Sequence, residues 1–195
     1  MTLKNFLDDS RGGQPAEGAI GVESDWLTVA PMKLSTGRLW IGDSQSAWAE
    51  ANEGVGCVVD VPKGDYGVEA KGIDFNGSRF VSRLRVIREG SQDVSVGDVC
   101  GQAETDSAQI GVADQNALKA TFVTVCGDDV DVALELLEEY TNADVGVFQP
   151  DLHADARLIY VWSGYGDGGY LVMQLLSGGQ CVGIECEFID ASKPY

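Results

Sequence analysis

Residues 180–189, QCVGIECEFI, alternate between two kinds of side chain: Val182, Ile184, Cys186 and Phe188 fall on one side, and Gly183, Glu185 and Glu187 on the other. A period of two belongs to a pleated strand, and such a pattern is satisfied only when one face is buried and the other is wet. A chain that repeats this signature must build antiparallel sheets and give them something to pack on. The signature does repeat, in 26–34 (WLTVAPMKL), 38–43 (RLWIGD), 56–61, 65–72, 79–89, 157–164 and 170–176. Turn residues separate the segments. Ser35-Thr36-Gly37 reads as a hairpin turn joining 26–34 to 38–43, Pro62 and Lys63-Gly64 break the chain again, and Asn76-Gly77 precedes 79–89. In 79–89, Phe80, Leu84 and Val86 are predicted to share one face and Arg83 and Arg85 the other.

Helical spacing occurs only in the middle of the chain. Residues 113–123 read as a short helix capped by Asp114. Residues 128–142 place Val130, Ala133, Leu134 and Leu137 at three- and four-residue intervals, with Asp128 or Asp129 as the cap. No strand–helix–strand rhythm and no internal repeat is present, so the expected fold is mainly β (α+β), with antiparallel β-sandwich-like sheets and one or two short helices. Residues 1–24, rich in glycine and acids from residue 8 onward, read as a flexible N-terminal arm or loop, and residues 25–195 as a single mainly-β domain.

Charge narrows the function classes. Thirty-one acids against thirteen bases give a formal net charge of −18. Such a field repels nucleic acid and anionic membrane and attracts a basic protein partner; solubility and a saline habitat are the competing readings. The N-terminus lacks the long apolar segment of a signal peptide and no run reaches the length of a membrane span, which points to the cytoplasm. Five scattered cysteines (Cys57, Cys100, Cys126, Cys181, Cys186) form no disulfide framework and no C-x-x-C pair, and are expected as buried free thiols. Cys181 and Cys186, five apart, should point to opposite faces of their strand.

The chemistry-bearing candidates are few. The cluster Gly164, Gly166, Asp167, Gly168, Gly169 follows one strand and precedes another. A phosphate cradle needs a helix N-terminus there, and a calcium loop needs several spaced oxygen ligands, so a tight turn capped by the Asp167 side chain is the favoured reading. His153, the only histidine, is the only base a serine or cysteine nucleophile could use, and it sits in a polar, linker-like stretch. No metal site and no cofactor is expected. Asp60, Asp65, Asp98 and Asp106 read as turn or surface residues, and Arg79, Arg83, Arg85 and Arg88 as cross-strand partners of acids such as Glu185 and Glu187. Trp26, Trp40, Tyr160 and Trp162 read as core, whereas Trp48 stands among polar residues and is expected to be exposed. Tyr165, Asp167, Tyr170 and Trp48 are therefore the candidate binding residues.

Four stretches in order, TGRLWIGD (36–43), VPKGDYGVE (61–69), VGDVCGQAETDSAQIGVAD (96–114) and SGYGDGGYLVMQLLSGGQCVGIECEFI (163–189), resemble the bacterial family catalogued as domain of unknown function 4241. The pattern departs at Gly67, where the family carries a bulkier residue, and in the helix at 128–142. The resemblance implies a mainly β domain and brings no assigned activity. The sequence thus supports a non-enzymatic acidic binding protein, such as an immunity protein that neutralises a basic nuclease toxin. The alternative is a carboxylate-dependent hydrolase with Asp167 in the glycine-rich loop.

Overall fold

The computed structural model describes residues 2–10, 13–48, 56–127, 129–141, 143–149 and 156–195. These form two antiparallel sheets packed face to face, with helices on the far side of one of them. The larger sheet has the order β1(Val22–Glu23)-β5(Gly64–Phe75)-β6(Ser78–Arg88)-β12(Gln180–Glu187)-β11(Gly168–Ser177)-β7(Ser95–Thr105), and β2(Leu27–Leu34) also pairs with β5. The smaller has the order β4(Cys57–Asp60)-β3(Arg38–Asp43)-β8(Gln109–Asp114)-β10(Leu158–Trp162)-β9(Val145–Phe148). The mainly β, sandwich-like architecture is the one the alternating segments require.

Alternation fixes which side chains enter the layer between the sheets. Ile184, Cys186 and Phe188 of the last strand meet Tyr66, Val68, Leu84 and Val86 from the same sheet and Leu39, Ile41, Val112 and Val161 from the other. The smaller sheet is buried on both faces. Its remaining positions, Trp40, Ala113 and Leu158, pack under Leu118, Phe122, Ala133 and Leu137 of helices α2(Gln115–Cys126) and α3(Val130–Tyr140). A second, helix-covered core is why β3 and β8 read as nearly unbroken apolar runs. Asp114 caps α2 by accepting from the Ala117 amide, and Asp129 caps α3 by accepting from the Asp131 and Val132 amides. In α3 Ala133 and Leu137 are buried, while Val130 and Leu134 face solvent.

Several expectations are overturned. Ser35-Thr36-Gly37 is not a hairpin turn: β2 lies in the larger sheet and β3 in the smaller, so these residues carry the chain between layers. Asp114 holds that corner as well as its helix, accepting from the Thr36 amide at 2.7 Å and the Thr36 hydroxyl at 2.5 Å. Asn76-Gly77, by contrast, does join β5 to β6 as a two-residue hairpin. Residues 1–24 are not a loose arm. Helix α1(Leu3–Asp8) buries Leu3 and Phe6, Val22–Glu23 pairs with β5, and Gly18 and Ala19 exchange backbone hydrogen bonds of 2.9 Å with Tyr195.

Strand irregularities account for the misplaced faces. Lys71 pairs with Arg83 and Gly72 with Val81, leaving Ser82 as an extra residue in β6. Such a bulge shifts side-chain parity. Val81, not Phe80, therefore joins Leu84 and Val86 in the core, and Phe80 is only half-buried. A second bulge, at Val182, brings Cys181 against the same core that holds Cys186, so these two thiols do not face apart.

Candidate functional site

Beyond Trp162 the chain leaves the smaller sheet and enters the larger one at Gly168, so residues 163–167 are a crossover between layers and not the turn of a hairpin. Ser163 and Tyr170 tie the crossover together. The Ser163 amide donates to the Ala108 carbonyl at 2.9 Å and its hydroxyl to the Gly166 carbonyl at 2.7 Å. The Tyr170 hydroxyl reaches back to the carbonyls of Ser163 at 2.9 Å and Gly166 at 2.6 Å. Burial pushes the Tyr170 phenol up, and the phenol stays a donor. Gly164 must be glycine on two grounds: its φ is +66°, and a Cβ there would sit 2.9 Å from Ile189 and 3.1 Å from the Val81 carbonyl.

Asp167 does not cap this turn. It is exposed, and its side chain makes no hydrogen bond among the described residues. It lines neither of the cavities described below. The strand that follows leaves no helix N-terminus for a phosphate.

The crossover does form one wall of a cleft of about 440 Å³. Leu7, Asp8 and Ser10, at the end of α1 and just beyond it, form one side; Phe80 at the start of β6, Asp144 before β9, and Trp162 complete it. Trp162, read from sequence as core, is 47% exposed. It continues the parity that places Leu158 under the helices, but at the end of β10 no helix covers it. Its amide donates to the Asp144 carbonyl at 2.8 Å, which fixes Asp144 beside the indole. Around the rim, Phe80, Tyr165 and Tyr195 form edge-to-face contacts, with centroids 5.7 Å and 5.1 Å apart, and Tyr165 is 51% exposed.

Among the described residues one cation lies in the cleft wall, and its charge is already used. Arg79 pairs with Asp74 at 2.8 Å and Asp9 at 3.4 Å, and its guanidinium lies over the Phe6 ring. The carboxylates of Asp8 and Asp144 make no hydrogen bond or ion pair among the described residues. The cleft thus offers an exposed indole and two carboxylates unpaired among the described residues, a combination suited to an organic cation.

A second cavity, of about 400 Å³, lies between the layers at Asp43, Gly56, Gln102 and Glu104. Sequence reasoning did not single out Asp43. It is 4% exposed and accepts six hydrogen bonds. Oδ2 takes the Thr105 hydroxyl and the Asp106 and Ser107 amides; Oδ1 takes the Ser107 hydroxyl and the Gln45 and Ser46 amides. Burial works against its ionisation, but the hydrogen bonds from Thr105 and Ser107 prevail and hold the carboxyl below its ordinary range. Asp43 ends one of the motifs quoted above and the Thr105-Asp106-Ser107 run lies inside another, and together they lock β3 to the turn after β7.

Of the four candidate binding residues, Tyr165 stands at the cleft rim and Tyr170 supports the crossover behind it. Trp48 is half-buried against the helix-side core, far from free exposure. His153 lies outside the described residues. Trp162 and Asp144 were missed, because alternation assigns a face to a side chain but cannot show where the covering layer ends.

Among the described residues no group of His, Cys, Asp or Glu is placed to hold a metal ion, and no helix is long and apolar enough to cross a membrane. No family model matches the chain, and neither a curated protein nor a solved structure matches it.

Proposed function

We propose that this protein is a non-enzymatic binding protein for a basic protein partner, and that the cleft at Trp162 takes a lysine or arginine side chain of that partner. The carrying observation is how the charge is used. Six of the thirteen bases (Arg38, Lys71, Arg79, Arg83, Arg85 and Lys193) are ion-paired within the chain, and thirty-one acids against thirteen bases leave a carboxylate surplus of −18. Such a surface accelerates encounter with a cationic partner, and a desolvated aromatic–carboxylate cleft supplies the anchor. A toxin nuclease is the partner class it suits, since an enzyme that binds polyanions carries a basic face, and covering that face neutralises it. Resemblance to an uncharacterised bacterial family is compatible with this role and adds no activity to it.

The test is capture from a native lysate by the immobilised protein at low and at high salt, with Trp162→Ala and Asp144→Asn as comparisons. A basic protein retained at low salt, released by salt and lost on both variants supports the reading. Retention that ignores salt, or that both variants leave untouched, overturns it.

A further inference from the structure

The fold gathers thiols that the sequence scatters. Cys57 lies on β4, an edge strand of the smaller sheet, and Cys100 on β7, an edge strand of the larger; the two edges run against each other where the sandwich closes. Val172 pairs with Gly101 and Met173 with Val99, so Cys100 is the extra residue of a bulge in β7. That bulge turns its side chain toward the inter-sheet core, where its thiol donates to the Val172 carbonyl at 3.4 Å. Glycine at 101 leaves the space the other sulfur fills: a Cβ there would overlap Sγ of Cys57. The Cys57 thiol points to the Cys100 carbonyl at 4.0 Å, so the two side chains lie side by side.

We propose that Cys57 and Cys100 are a reactive dithiol that closes, on exposure to hydrogen peroxide, into a disulfide joining the two sheets. The two thiols are not equivalent. The contact with Cys100 holds the Cys57 thiol below its ordinary range despite burial, and the same contact together with burial pushes Cys100 up. Cys57 is therefore the nucleophile. Gly56, its neighbour, lines the 400 Å³ cavity at Asp43, which is wide enough to admit a peroxide molecule. The Cys57 thiolate attacks one peroxide oxygen; the O–O bond breaks, hydroxide leaves, and Cys57 becomes a sulfenic acid. The Cys100 sulfur then attacks the Cys57 sulfur, the S–O bond breaks, and the departing hydroxide leaves as water with the Cys100 proton. Two thiols are oxidised and one peroxide is reduced to two waters. Cys126, on α2 against the helix-side core, and the partly buried Cys181 remain thiols.

The bond would close a loop of 43 residues between separate sheets. By loop-closure entropy this raises Tm by on the order of 10 °C. The experiment treats the intact protein with a small excess of hydrogen peroxide and counts thiols after denaturation. Expected are a fall from five thiols to three, a peptide map joining the Cys57 and Cys100 peptides, a higher Tm and reversal by dithiothreitol. Cys181→Ser should form the same link, whereas Cys57→Ser should keep all four remaining thiols and Cys100→Ser should lose one, as a Cys57 sulfenic acid that dimedone traps, with no peptide link. Five thiols after treatment, loss through sulfinic acid or intermolecular linkage, or a map joining other cysteines each overturns the proposal. The wild-type count and map decide it even if a variant fails to fold.

Discussion

Replacing Asp43 with alanine removes the acceptor for six donors at once, and the structure says how much of that loss is recoverable. The Thr105 hydroxyl can turn to the Gln109 carbonyl, already 3.1 Å away, and the Ser107 hydroxyl to the Thr105 oxygen, 3.4 Å away. The amides of Gln45, Ser46 and Asp106 cannot turn, whereas the Ser107 amide keeps the Thr105 hydroxyl oxygen at 3.2 Å. At about 1 kcal/mol for each orphaned N–H, Asp43→Ala should cost about 3 kcal/mol. For a chain of this size that lowers Tm by roughly 6–12 °C. Asp43→Asn keeps one acceptor oxygen and aims an amide at the other trio of donors, so about half the loss should remain. The ionised carboxylate is what the donors stabilise, and its folded pKa lies below the unfolded one. The contribution is thus complete above the unfolded value of about 4 and disappears as pH falls through the lower folded value. Thermal melts of the three proteins across an acid series read this directly. An Asp43→Ala protein melting within ~2 °C of wild type at neutral pH, or a wild-type advantage over Asp43→Asn that persists at the acid end, would refute the clamp.

Three further outcomes are expected. Gly164→Ala, which combines a positive φ with contacts to Ile189 and the Val81 carbonyl, should cost roughly 2–3 kcal/mol in chemical denaturation, and a neutral result would mean the crossover relaxes freely. Asp167→Ala should leave stability within about 0.5 kcal/mol of wild type, since the side chain is exposed and unbonded; a larger loss would restore the capped-turn reading. Arg83→Met strands Glu185 and Glu187 beside one another, with Glu185 only 5% exposed and Glu23 left to Lys71 and Ser82, and should cost roughly 2–4 kcal/mol at neutral pH by urea melt, recovering in part in acid as those carboxylates protonate.

What the sequence displayed and what it concealed divide along a physical line. Short-range signals were legible: strict alternation marked the last strand, Asn76-Gly77 marked its hairpin, and Asp114 and Asp129 marked two helix starts, because each depends on residues within a few positions. Arg83 pairing with Glu185 and Glu187 was also legible, since register places cross-strand charges on one face. Layer membership was not. A turn between two strands looks the same whether the chain folds back in one sheet or crosses to another, and so Ser35-Thr36-Gly37 and residues 163–167 were both read as hairpins. The docking of α1 depends on long-range contacts of Leu3 and Phe6 that no local window contains. The resemblance to an uncharacterised family quotes the stretches that hold Asp43, Thr105 and Ser107, but only the fold shows that they meet.

The bulges link these misreadings to the candidate chemistry. Each inserts one residue and reverses the parity of everything beyond it, so alternation read across a bulge places side chains on the wrong face. At Ser82 the reversal releases Phe80 from the core to line the cleft opposite Trp162. At Cys100 it directs a thiol toward the layer between the sheets, and at Val182 it adds Cys181 to the same core. The irregularity at Ser82 is also pinned: its hydroxyl donates to Glu23 at 2.9 Å, and its carbonyl accepts from the Phe188 and Ile189 amides. A defect held by that many partners is part of the design of the sheet, because slipping back into register would break all of them together. The same twist-increasing insertions that let two flat sheets close along β4 and β7 therefore also set the cleft aromatics and the thiol pair in place.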